Sequence, residues 1–136
     1  MKIGFIGPGI MPIPPDGWGA VESLIWEIAG ELGEKGHEGM IINVPDLNEI
    51  VKTVQENDFD FIHLFYDVFH PVMDAIKQVS PRSVTAISSA YPYVDQFEFH
   101  QRDGYTATYN WLISQKDHYN FCLSDKDLET YKNGDA

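Results

Sequence analysis

Gly7-Pro8-Gly9-Ile10-Met11-Pro12-Ile13-Pro14-Pro15-Asp16-Gly17-Trp18-Gly19-Ala20-Val21-Glu22 is the stretch on which the reading of the fold turns. Its four prolines and four glycines exclude a continuous helix or a central strand. In front of it stands Lys2-Ile3-Gly4-Phe5-Ile6, a short apolar run that reads as a buried strand ending at Gly7. Behind it Val21, Leu24, Ile25, Ile28, Ala29 and Leu32 recur at helical spacing, as one apolar stripe. Glu22, Glu27, Glu31 and Glu34 lie mostly off that stripe, and Lys35-Gly36 supplies a C-terminal stop. A strand is thus joined by a glycine-containing loop to a helix start, where free N–H groups and the helix dipole favour an anion. The plainer alternative is a surface loop whose glycines only serve sharp turns.

The remainder of the chain repeats the alternation. Met40 to Val44 reads as a second strand closed by Pro45. Asp46 then stands at a helix N-cap with Glu49 in the capping-box position, and Leu47, Ile50, Val51 and Val54 form the apolar face. Phe59 to Tyr66 reads as a third strand, Pro71 to Pro81 as a helix with Pro71 at its start, and Ser83 to Ser88 as a fourth strand. After an aromatic stretch without a period, the sequence predicts a helix from about Gly104 to Gln115, a strand at Tyr119 to Leu123 and a last helix from Asp125 to about Lys132. Strands alternating with helices imply an α/β fold, a Rossmann-like three-layer α/β/α sandwich with a parallel sheet, spanning residues 1–136 as one domain. In such sheets ligands bind beyond the C-terminal ends of the strands, which singles out loops 7–20, 66–71 and 88–104.

Composition narrows the function by exclusion. The formal net charge is −12, and the nine Lys and Arg residues are scattered without a basic cluster. That disfavours nucleic acid and anionic membrane surfaces as partners. No apolar span is long enough for a transmembrane helix. A single cysteine, Cys122, cannot form an internal disulfide and points to the cytoplasm, with the thiol acting as a small buried hydrophobe. No pair of His, Cys or acidic residues has metal-ligand spacing, so no metal is expected. The dinucleotide fingerprint fails because Pro12 stands where its third glycine belongs, and no Walker-type phosphate loop is present.

The residues resemble a known family. Met1-Lys-Ile-Gly-Phe-Ile-Gly-Pro8, then Pro12-Ile-Pro-Pro-Asp-Gly-Trp-Gly-Ala-Val-Glu22, then a helix closing in Glu34-Lys-Gly-His37, look like the N-terminal, acceptor-side domain of GT-B glycosyltransferases of family 4. Phe59-Asp-Phe-Ile-His63 is similar to that family's third strand, and Phe121-Cys-Leu-Ser124 to a later strand and helix start. The resemblance implies a retaining hexosyltransferase of carbohydrate biosynthesis that moves sugar from a UDP- or GDP-type nucleotide-sugar donor to a sugar or glycolipid-type acceptor. It places Gly17, Trp18 and Gly19 on the turn that reaches the donor's phosphate or sugar, and Glu22 on the glutamate behind it. His63, Tyr66, Asp67, Ser88 and Tyr91 become acceptor-side candidates, although a hydrogen-bonded core histidine is the simpler reading of His63. The aromatic residues of 91–99 would either stack on a sugar or cover the core.

Two positions depart from the family pattern. Ala20 replaces a frequent second glycine, and Ser88 stands where many members end the fourth strand with a histidine facing the donor sugar. By resemblance the donor nucleotide belongs to a C-terminal GT-B domain, or a split subunit, that these residues do not contain. The chain is therefore expected to be inactive alone. A face meant for that second domain would favour a homodimer. The competing expectation is a non-catalytic interaction domain that keeps the glycosyltransferase fold.

Overall fold

A computed structural model describes residues 1–89, 104, 106–122 and 124–133. Among these, five strands and five α-helices alternate: β1 (Lys2–Ile6), α1 (Ala20–Glu34), β2 (Glu38–Ile42), α2 (Leu47–Glu56), β3 (Phe61–Leu64), α3 (Pro71–Val79), β4 (Val84–Ser88), α4 (Thr106–Ser114), β5 (Tyr119–Phe121) and α5 (Asp125–Asn133). The strands form one all-parallel sheet in the order β2-β1-β3-β4-β5. This is a Rossmann-like α/β sandwich. Its order reverses between β1 and β3, so the crevice beyond the carboxyl ends of these two strands is the topological switch point.

Period-two alternation distributes the strand side chains to the two faces. Ile3 and Phe5 lie beside Phe61 and His63 in register and pack with Ile25 of α1 and with Phe65. On the opposite face Ile6, Ile42, Ile62, Leu64 and Ile87 meet Ile50 and Val54 of α2, Met73 and Ile76 of α3, Leu112 of α4 and Tyr131 of α5. From β1 the chain moves to one side through α1, and from β2 back across β1 through α2. Two crossovers of one hand running in opposite directions must lie on opposite faces. Each fully buried Ile or Leu in these layers contributes about 1.5–3 kcal/mol through removal from water.

Element boundaries differ from the sequence expectations for local reasons. β2 runs from Glu38 to Ile42 because these five residues register with Lys2 to Ile6, while Asn43 leaves the ladder to bond the loop after β1. β3 is shorter than expected; Phe65 still donates its N–H to Ile6 O at 2.9 Å, and the chain then turns through a 3-10 segment, Asp67–Phe69, into α3. Leu24, expected in the buried stripe of α1, is 38% exposed, whereas Glu22 is 6% exposed. None of the described helices covers the α1 side of β4 and β5, where Val84, Tyr119 and Phe121 remain exposed.

Candidate functional site

The loop after β1 is held at its root and open at its tip. Gly7 N–H donates to Ile42 O at 2.9 Å, Gly9 N–H to Asn43 Oδ1 at 2.8 Å, and Asn43 Nδ2 to Met11 O at 2.8 Å. Gly9 has φ +73°, and a Cβ there would lie 2.4 Å from the Val44 carbonyl carbon, so only glycine fits. Asn43 thus ties the loop to the end of β2 through both ends of its side-chain amide. The sequence placed Asn43 inside the second strand, Met40 to Val44, and no local pattern there signals a partner in the loop after β1.

The tip delivers Gly17, Trp18 and Gly19 to the start of α1. Gly17 and Trp18 are exposed, and a Cβ on Gly17 would meet nothing within 4 Å. Gly19 is buried, and a Cβ there would come within 3.0 Å of Met11 Cε and Pro15 Cβ and 3.1 Å of Glu22 Oε1. Gly19 is the N-cap of α1 and provides no side-chain cap to the first turn of this 15-residue helix. Glu22 is buried in that first turn, with its carboxylate behind the turn of the loop. Ala20 begins the helix and is exposed.

Across the switch point, β3 and β4 bring two further candidates together. His63 Nε2 and Ser88 Oγ are 2.7 Å apart, and both residues are buried. The imidazole is stacked between Phe65 and Phe121, with ring centroids 4.0 and 4.7 Å away. Burial lowers its pKa from 6.5 to about 4, so the ring is neutral at neutral pH and shares one hydrogen bond with Ser88. Such a pair can position a hydroxyl or exchange a proton with it. It also satisfies two polar groups in an apolar wall, as the simpler reading of His63 requires. Both residues line an apolar cavity of about 450 Å³ between α1 and the sheet, together with Phe5, Leu24, Phe65 and Phe121.

The other acceptor-side candidates are not part of that pair. Tyr66 is half-buried and packs edge-on against Phe69, ring centroids 4.8 Å apart. Asp67 is 1% exposed at the start of the 3-10 turn, and its backbone carbonyl accepts from His70 N and Nδ1. Its carboxylate belongs to a buried group with Tyr131, whose hydroxyl pKa rises first through burial and further through Asp67 and Asp127. Tyr91 lies outside the described residues. Among the described residues no three His, Cys, Asp or Glu side chains are grouped as a metal site, and no helix is long and apolar enough to cross a membrane. No protein-family model matches the chain, and no curated protein matches it.

Proposed function

We propose that the chain is the acceptor-side domain of a retaining GT-B glycosyltransferase that transfers a sugar from a nucleotide-sugar. The observation that carries this reading is the start of α1: a helix N-terminus without a side-chain cap from Gly19, behind an exposed Gly17–Trp18 tip, beside the switch point of a parallel sheet. Backbone donors at such a place suit a diphosphate or a sugar hydroxyl in a chain whose net charge is −12. Trp18, exposed at the tip, offers a flat face to a sugar ring. Glu22 sits where a carboxylate can orient the turn or accept from a sugar hydroxyl. His63 and Ser88 would form the acceptor wall. The donor's nucleotide is assigned to a second domain or subunit, and the reaction, which needs no metal on this reading, to the cytoplasm.

The test is a titration of UDP-glucose and GDP-mannose against the chain alone and against the chain combined with a candidate donor-binding domain. Binding and turnover are expected only in combination, and loss of Glu22 by Glu22→Gln should lower that turnover at least about tenfold. Turnover by the chain alone would refute the division of labour. One observation favours a second reading, a non-catalytic interaction domain: the Ser88 hydroxyl, at the position of the family's histidine, is engaged by His63. Absence of any response to donor with the combined domains would support that reading.

A further inference from the structure

The basic residues are dispersed in the sequence, but the fold gathers three of them. Lys77 from the last turn of α3, Arg82 from the turn before β4 and Lys116 from the segment before β5 line one cavity of about 430 Å³. It lies at the amino-terminal edge of β4 and β5, the end of the sheet opposite the switch point. Among the described residues none of the three forms an ion pair, whereas Lys52 is paired with Glu56 on α2. Asp117 is the one carboxylate in the described lining. Three cations against one anion give this concavity a local excess of positive charge in a molecule of net charge −12.

The floor is polar and fixed. Ser83 Oγ donates to Phe59 O at 2.6 Å and lies 2.6 Å from Ser80 Oγ. Thr85 Oγ1 and His118 Nδ1 are 2.6 Å apart, and His118 Nε2 lies 3.4 Å from Asp74 Oδ1. Ser83, Thr85 and His118 are all buried and hydrogen-bonded, Ser83 to Phe59 and Ser80 and Thr85 to His118, so the wall is held in place, while among the described residues the three cations on the rim have no hydrogen-bond partner. Asp74, which also accepts from Trp111 Nε1 at 3.4 Å, is a largely exposed carboxylate behind the His118 wall and outside the lining of the cavity. A guanidinium and two ammonium groups around one hollow suit a compact oxyanion carrying more than one charge.

We propose that this cavity binds a phosphoryl group, either inorganic phosphate or the phosphate ester of a small molecule. The site is independent of the glycosyltransferase reading. The volume exceeds that of one phosphate and leaves room for an organic residue beside it, against the exposed ring of Tyr119. The test titrates the whole chain with sodium phosphate and, separately, with glucose 6-phosphate at fixed ionic strength, followed by backbone amide NMR. Saturable shifts are expected at residues 82–85 and 116–119. Affinity should fall at least about fivefold in Arg82→Ala and in Lys116→Ala, and stay unchanged in Lys52→Ala, which removes the same charge from α2. Tighter binding of the ester assigns the site to a metabolite, and equal binding assigns it to the free ion. Shifts that fail to saturate, or an equal loss in Lys52→Ala, would overturn the proposal.

Discussion

His63 concentrates three constraints in one side chain: burial, two stacked rings and a 2.7 Å contact to Ser88. Between pH 6.5 and about 4 the unfolded chain carries a proton on this imidazole that the folded chain refuses. Stability is therefore expected to fall as pH drops through that window, by at most about 3 kcal/mol from this group. Urea denaturation at pH 7, 5.5 and 4.5 would measure it, and an imidazole titrating near 6.5 in the folded protein would refute the linkage. The glycines of the opening loop separate equally sharply. Gly9→Ala should cost at least about 2 kcal/mol, since it combines a positive φ with a backbone clash. Gly17→Ala should stay within about 0.5 kcal/mol because its Cβ enters open space. Equal losses in the two variants would show that the loop root is not held as described.

At the scale of elements, α2 is the case where sequence and structure agree for one identifiable reason. Asp46 Oδ1 accepts from Asn48 N at 2.8 Å and Glu49 N at 3.3 Å, a cap readable from Asp46 and Glu49 alone. Asp46→Ala is expected to cost about 1 kcal/mol in chemical denaturation. A loss below about 0.3 kcal/mol would mean that water replaces the cap. The layered fold was legible because apolar periods of 3.6 and two alternate along the chain. What was illegible depends on pairs distant in sequence. Asn43 belongs to the loop root because it meets Gly9 and Met11, and Ser88 matters because it meets His63. The Lys77, Arg82 and Lys116 group exists only after α3 and α4 are placed beside the sheet edge. Glu22 and Leu24 exchanged their expected burial because α1 leans on β1 and β2 through Ile25 and leaves Leu24 along the cavity.

For the whole molecule, charge sets the sign of the salt response. A net charge of −12 on 136 residues repels itself, and screening shortens that repulsion to about 8 Å at physiological ionic strength. Raising NaCl from about 10 to 150 mM should therefore raise Tm by about 2–5 °C, measured by circular dichroism. A lower Tm in salt would mean that attractive pairs outweigh the repulsion. The two faces of the sheet also differ in how they are closed. Among the described residues, four helices lie on one side and α1 on the other, where Tyr119 and Phe121 are exposed.

Asn43 fixes where the opening loop tolerates a change of length. Its amide joins Gly9 and Met11 to the end of β2, so an added residue between Gly7 and Met11 would pull both bonds apart. Asp16, Gly17 and Trp18 are exposed, and nothing surrounds the Gly17 position. A short peptide tag or a spectroscopic label inserted between Asp16 and Gly17 would therefore ride on an anchored stem. It would make this point of the backbone the natural graft site for watching, from outside, whatever approaches α1.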